Sequence, residues 1–176
     1  MDSFHFRFDA MGSGCEVVIV AESKKDAQTI AGCAIEEVSR IERKFSRYRS
    51  DSIVSRINAA AGLESVACDE ETLSLFQYAD TLYESSGGLF DITAGVLRHA
   101  WDFGNAVVPD NGVLSRRCSL INWNSVERQG NSVRLPIAGM ELDFERFVND
   151  HNLFFNKQLK VSNGLFDVEH GEVDVF

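Results

Sequence analysis

The sequence lacks long apolar runs and an excess of basic residues. No apolar run approaches the roughly 20 residues that a transmembrane helix needs. The 176 residues include 17 basic and 27 acidic side chains, a net charge of −10, so nucleic acids and anionic membrane surfaces are poor expectations as partners. The first residues contain neither the basic nor the apolar region of a signal peptide. We therefore expect either a cytoplasmic protein or one whose export segment lies outside this chain.

Cysteine and histidine are also sparse, with four of each. No CxxC pair and no HExxH pattern occurs, so the chain resembles neither a disulfide framework nor a zinc site. The cysteines are widely spaced, at Cys15, Cys33, Cys68 and Cys118. We expect them to be free thiols, and we predict no metal ligand from these residues.

The apolar content of 44% is that of a globular protein with one ordinary domain. Phe4, Phe6 and Phe8 alternate with polar residues, which predicts a half-buried strand. Glycines at positions 12 and 14 interrupt this pattern before a β-prone run at 15–21. The glycine pair suggests a tight connection or bulge where the backbone can approach a ligand closely.

Three helices are predicted from apolar residues at three- and four-residue spacing. The first follows Ser23 and ends near Phe45, and a short second helix follows an N-cap within 50–52. Asp69 is typical of the N-cap of a third helix, which Gly87-Gly88 stops.

The last part of the pattern is β-rich. Apolar and polar residues at 126–128 and 133–135 flank a Gln-Gly-Asn turn, which predicts a hairpin. A further strand is predicted at 140–144, and Trp101 is expected in the core. Residues 4–144 are therefore interpreted as a single α+β unit.

Six short pieces then stand in a fixed order along the chain. They are Ala10-Met11-Gly12-Ser13, Phe45-Ser46-Arg47-Tyr48, Asp51-Ser52 with Asn58 following, Ser86 to Thr93, Trp101-Asp102-Phe103, and Gly139 to Phe144. In this order, the set resembles the FAD:protein FMN transferases, the ApbE family, over Phe4 to Phe144. The family's patterns are AMGT, FSxYxxDSxxxxLN, SGGxFDxT and GMxLDxGGxxKG.

The resemblance implies an enzyme that binds FAD with Mg²⁺. Such an enzyme moves the FMN half of FAD onto a threonine hydroxyl of an acceptor flavoprotein and releases AMP. The implied fold is α+β and ApbE-like, related to the T-fold, with an antiparallel sheet and two long packed helices. The family usually works outside the cytoplasm as a membrane-tethered lipoprotein.

The resemblance also assigns positions to a flavin site. Met11 would lie against the bound dinucleotide, and Tyr48 would stack on or flank the isoalloxazine ring. Leu89, Phe90 and Asp91 would line the nucleotide site, and Asp143 would hydrogen-bond FAD.

Simpler structural roles remain open for three of these residues. Tyr48 could be a core aromatic at a helix end. Asp91 could be a helix N-cap, and Asp143 a solvated loop acid.

The resemblance ends after Phe144. The family continues with a glycine-rich, lysine-containing loop that holds Mg²⁺ and the nucleotide, whereas this chain reads Glu145-Arg146-Phe147-Val148-Asn149. We therefore treat residues 1–144 as the N-terminal portion of the transferase domain and 145–176 as a divergent tail. The tail is either accidental, from truncation or a frame shift, or a natural variant that covers an exposed half-core. We expect one half alone to expose an apolar face and to self-associate.

No metal ligand and no catalytic residue can be assigned from the sequence. We therefore expect the chain alone to have little or no transferase activity. Two alternatives stay open, which are a non-catalytic module that binds flavin or adenine nucleotides, and an FAD pyrophosphatase of the same family.

Overall fold

The computed structural model describes residues 1–10, 12–101 and 108–144, together with the backbone of a strand at Val173–Val175. The chain divides into two compact units. The first comprises Met1–Ser46 with Glu145–Phe176, and the second comprises Arg47–Phe144. Within the described ranges, no helix is both long and apolar enough to cross a membrane.

The first unit is a helix packed on an antiparallel sheet. Strands β1 (Asp2–Ala10) and β2 (Ser13–Ala21) form a hairpin, and the terminal strand β6 (Val173–Val175) pairs with the other edge of β2. In β1 the phenylalanines are half-buried and the residues between them are exposed, as the alternation predicts. Gly12 has a φ of +74° in the turn between β1 and β2, a backbone conformation that glycine adopts without strain.

Helix α1 (Lys24–Phe45) begins at Ser23, whose hydroxyl accepts a hydrogen bond from the Asp26 amide at 3.2 Å. Its buried face carries small residues near the N-terminus and larger ones near the C-terminus. The buried residues are Ala27, Ala31, Ala34, Val38, Ile41 and Phe45. The three alanines pack against Val17 and Ile19 of β2 in one hydrophobic cluster. Small side chains let the helix and sheet backbones approach closely.

Within 47–101 and 108–144, the described part of the second unit, there are three α-helices, two short 3-10 helices and a small antiparallel sheet. The elements are α2 (Ile53–Ala59), β3 (Val66–Ala67), α3 (Glu70–Ser85), a 3-10 helix at Gly95–His99, α4 (Asn111–Cys118), a 3-10 helix at Trp123–Ser125, β4 (Glu127–Gln129) and β5 (Ser132–Arg134). The strand order is β3-β5-β4. Ser52 and Asp69 are the N-caps of α2 and α3, in line with the sequence pattern.

Phe76 of α3 is the centre of the aromatic core in the second unit. Its ring stacks on that of Trp123 at a centroid distance of 5.8 Å and contacts that of Phe144 at 5.4 Å. All three rings are at most 2% exposed. This core therefore fixes the chain just after Asp143, where the sequence placed a site residue.

Three features differ from the sequence-based expectations. Residues 140–144 do not form a strand, because only Glu141 makes a single β-bridge, to Ala94. Trp101 is 40% exposed, so its assignment to the core was wrong. Helix α4 was not predicted, since its eight residues include no buried side chain and therefore show no periodic apolar stripe.

The cysteines are as the sequence predicts. The four cysteines are free thiols, and only Cys68 is buried. The predicted loop change after Phe144 lies outside the described residues, as does Met11.

Candidate functional site

Asp143 is held in place by hydrogen bonds along the 142–143 backbone. The Asn58 side chain donates to the Leu142 carbonyl at 3.1 Å and accepts from the Leu142 amide at 2.7 Å. The Asp143 amide donates to the Ile92 carbonyl at 2.9 Å. Asn58 on α2 and the loop that follows α3 thereby set the position of the Asp143 carboxylate, which is buried.

The Arg47 guanidinium connects the buried Asp143 to the exposed Tyr48. Arg47 Nη1 donates to Asp143 Oδ2 in an ion pair, and Nη2 donates to the Tyr48 hydroxyl at 2.8 Å. The guanidinium carbon also lies 4.9 Å from the centroid of the Tyr48 ring, which is a cation–π contact. A charged hydrogen bond to a buried carboxylate is stronger than a neutral one, so this arrangement orders the Arg47 side chain.

Tyr48 presents its ring to solvent, since the residue is 71% exposed. The alternative role as a core aromatic is therefore wrong. An exposed tyrosine ring with a fixed hydroxyl offers a flat apolar surface to another aromatic system.

Asp91 organises the loop between α3 and the Gly95–His99 helix. Its Oδ1 accepts hydrogen bonds from the Thr93 amide at 2.7 Å and the Thr93 hydroxyl at 2.6 Å. Its Oδ2 accepts one from the Trp123 amide at 3.0 Å. Asp91 is not the N-cap of that helix, because Ala94 takes the position. These contacts give the carboxylate a role in loop structure, next to Ile92 and hence next to the Asp143 backbone.

The neighbouring residues of the loop differ in exposure. Leu89 is 93% exposed and follows two glycines with positive φ. Phe90 is half-buried, and its amide donates to the Ser86 hydroxyl at 2.9 Å. The structure thus links Tyr48 to Asp143 through Arg47, and the Asp143 amide to Ile92, the residue that follows Asp91.

The described residues do not fit a magnesium ion. Nowhere in residues 1–10, 12–101 and 108–144 do three His, Cys, Asp or Glu side chains come together as a set that could hold a metal. The Asp143 carboxylate is paired with Arg47, and the nearby Glu141 carboxylate is paired with Arg98 at 3.0 Å and with His99 at 2.7 Å. We therefore derive no step through a metal ion from these residues.

Two residues that shape this region, Arg47 and Asn58, had no role predicted from the sequence. Arg47 and Asn58 both lie within the quoted motif pieces, but each acts on a residue near Phe144. The residue separations are 96 for Arg47 to Asp143 and 84 for Asn58 to Leu142. The available signal for Arg47 was its place directly before Tyr48, which the resemblance assigns to the flavin ring.

Comparison with known proteins gives a consistent result. The sequence model of the ApbE family matches residues 11–149. This chain therefore belongs to the ApbE family, which confirms the resemblance that the motif pieces indicated.

Curated relatives and a solved structure agree with this assignment. The chain is 32% identical over 146 residues to the FAD:protein FMN transferase of Treponema pallidum, covering 76% of this chain and 40% of that protein. It is 30% identical over 128 residues to the FAD:protein FMN transferase of Vibrio cholerae, covering 70% of this chain and 37% of that protein. The crystal structure of the ApbE protein of Thermotoga maritima superimposes with a TM-score of 0.73 at 28% identity, covering 82% of this chain and 48% of that one.

The mixed helix-and-sheet fold with small antiparallel sheets is thus that of ApbE proteins, as predicted. The chain spans about two fifths of the length of the curated relatives that it matches.

Proposed function

We propose that this chain is the flavin-binding portion of an FAD:protein FMN transferase. The reaction moves FMN from FAD onto a threonine hydroxyl of an acceptor flavoprotein. A bond forms between the threonine oxygen and the FMN phosphorus, the pyrophosphate bond to AMP breaks, and the hydroxyl proton is released. In-line attack of this kind depends mainly on positioning and charge stabilisation.

The observation that supports the proposal is the Tyr48–Arg47–Asp143 arrangement. An isoalloxazine ring is a flat, electron-poor aromatic system, and the exposed Tyr48 ring offers it a stacking surface with few rotamers to freeze. In our proposal, Tyr48 stacks on the flavin, and Leu89 and Phe90 line the rest of the nucleotide site. Met11 and Asp143 complete the set that the resemblance assigns.

The roles of the two carboxylates follow from their bonding. Asp91 supports the loop that carries Leu89 and Phe90, because both of its oxygens accept hydrogen bonds within that loop and from Trp123. Asp143 acts on the proposed flavin site through Arg47, which pairs with the Asp143 carboxylate and hydrogen-bonds Tyr48. We expect magnesium in the reaction from the resemblance alone, and we assign it to none of the described residues.

The proposal is tested by titrating the chain with FAD and following the quenching of flavin fluorescence. We expect saturable quenching by the unmodified chain and its loss in Tyr48→Ala. Leu63→Ala is the matched control, because Leu63 is also a large exposed side chain of the second unit, at 76% exposure, and has no proposed role. Equal quenching by the unmodified chain and Tyr48→Ala would contradict the proposal.

Transfer itself is tested with FAD, Mg²⁺ and an acceptor flavoprotein, followed by flavin fluorescence on a denaturing gel. We expect binding of FAD by this chain with little or no labelled acceptor, because the glycine-rich loop of the family is replaced after Phe144. A strongly fluorescent acceptor band would show that the loop is dispensable. Release of FMN and AMP without a labelled band would indicate a pyrophosphatase instead.

A further inference from the structure

Tyr48 is an exposed side chain whose orientation depends on its neighbour. A surface tyrosine samples several rotamers, and a stacking surface is useful only in one of them. Here the Arg47 guanidinium contacts the tyrosine at two points, the hydroxyl at 2.8 Å and the ring at 4.9 Å from its centroid. Two contacts from one planar group restrict the ring in both position and tilt.

Arg47 is in turn fixed from the opposite side. Its side chain is 18% exposed, and its Nη1 is paired with Asp143, whose side chain is 7% exposed. The Asp143 backbone is held by Ile92, and the preceding residue, Leu142, is held by Asn58. The buried 142–143 backbone therefore fixes Arg47 through its ion pair with Asp143, and Arg47 in turn fixes the exposed Tyr48 ring.

We propose that Arg47 is a positioning residue that preorganises Tyr48 for stacking on a flavin ring. This inference rests on the proposed function. Arg47 acts through Tyr48 and makes no contact with the phosphates. The advantage is entropic, because a ring that is already held in the binding orientation loses less freedom when the ligand binds.

The two contacts with Tyr48 and the bond to Asp143 require the guanidinium of an arginine. A guanidinium has a planar fork that can donate to Asp143 and to the Tyr48 hydroxyl at the same time while lying over the ring. A lysine would preserve the positive charge beside Asp143 without making both bonds in that geometry. Arg47→Lys therefore separates pairing with the buried carboxylate from positioning of the ring.

The test compares FAD with riboflavin, which has the same ring and no phosphate. The variants are Arg47→Lys and Tyr48→Phe, which keeps the ring but removes the hydroxyl. Loss of one such hydrogen bond predicts affinity about two- to tenfold weaker. We expect this factor for both ligands, with weaker quenching at saturation. The double variant should lose no more than Arg47→Lys alone, because Arg47→Lys already removes the contact with the Tyr48 hydroxyl that Tyr48→Phe removes.

Arg49→Lys is the matched control. Arg49 lies two residues away and pairs with Asp51 on the surface, and its side chain is 48% exposed. We expect flavin binding by this variant to equal that of the unmodified chain. Urea unfolding of each variant is measured in parallel, so that a loss of binding can be compared with any loss of fold.

The binding data on FAD and riboflavin distinguish failure of the positioning role from failure of the proposed function. Weakening of FAD but not riboflavin would show that Arg47 contacts phosphate and would overturn the positioning role. Unchanged binding of both flavins by Arg47→Lys and Tyr48→Phe would also overturn it, while loss of binding in Tyr48→Ala would leave the proposed function intact. Unchanged binding in Tyr48→Ala would instead remove the proposed function itself.

Discussion

The side chain of Asn58 and the main chain of Leu142 form two hydrogen bonds with each other. Nδ2 of Asn58 donates to the Leu142 carbonyl at 3.1 Å, and Oδ1 accepts from the Leu142 amide at 2.7 Å. Leu142 is 1% exposed, so water is poorly placed to replace either bond. This pair of bonds joins α2 to the segment that carries Asp143.

Asn58→Ala is expected to destabilise the chain by about 1–3 kcal/mol, because it leaves the buried Leu142 backbone groups without their partner. Urea unfolding should show a lower midpoint with an unchanged slope. Gln77→Ala is the control, since Gln77 is an exposed amide on α3 and its removal should change stability by no more than about 0.5 kcal/mol. Equal midpoints for the two variants would contradict this account of Asn58.

A second prediction concerns the close approach of Gly95 to the Asp143 segment. A Cβ at Gly95 would lie 3.0 Å from the Glu141 carbonyl oxygen and 3.1 Å from the Asp143 Cβ. Gly95→Ala should therefore cost about 1–3 kcal/mol and weaken flavin binding by displacing Asp143. Differential scanning calorimetry and FAD titration measure the two effects.

Gly32→Ala is the matched control for Gly95. Gly32 lies within α1, and a Cβ there would meet nothing within 4 Å. Alanine in a helix interior should instead stabilise the chain by about 0.5–1 kcal/mol. A Gly95→Ala variant as stable as the unmodified chain, with normal flavin binding, would refute the close packing described here.

A third prediction concerns pH and the Asp80 carboxylate. Hydrogen bonds from Arg128, at 2.5 and 2.8 Å, lower the pKa of Asp80 below its ordinary value of 3.8, and the Trp123 indole, at 2.8 Å, adds to this effect. Because the folded state lowers the pKa, the stabilisation is complete above pH 3.8 and is lost as the pH falls through the folded value. Asp80→Asn should thus be less stable at pH 7, and the difference should shrink below about pH 3.8.

Asp51→Asn is the control for Asp80. Arg49 also lowers the pKa of Asp51, but this carboxylate is exposed, so solvent and salt screen the pair. The free energy of unfolding should therefore change little at either pH. A stability difference for Asp80→Asn that is the same at pH 7 and pH 3 would contradict the prediction.

Much of the fold could be predicted from local pattern. The buried stripe of α1, the N-cap Asp69 and an N-cap within 50–52 were readable because each depends on residues within one or two helical turns. The hairpin of β4 and β5 was readable from its Gly130-centred turn for the same reason. Residues 140–144 were misread, since an alternating apolar pattern also fits an irregular segment held by the Phe144 core and the Asn58 side chain.

The candidate site was only partly predictable. The resemblance named Tyr48, Asp91 and Asp143, and in the structure Arg47 contacts both Tyr48 and Asp143 while the Asp143 amide bonds Ile92, next to Asp91. The bond between Arg47 and Asp143 could not be foreseen, because the two residues are 96 positions apart and no local pattern specifies the pairing. The three hydrogen bonds that Asp91 accepts depend equally on tertiary structure.

The central claim is that a flavin ring stacks on Tyr48. Nuclear Overhauser contacts between the isoalloxazine methyl groups of bound FAD and the protein's aromatic rings test it most directly. The chain has three tyrosines, so each ring can be assigned by single Tyr→Phe variants. We predict cross-peaks from the flavin methyl groups to the Tyr48 ring protons. Cross-peaks from bound FAD to Tyr78 or Tyr83 with none to Tyr48 would contradict the account.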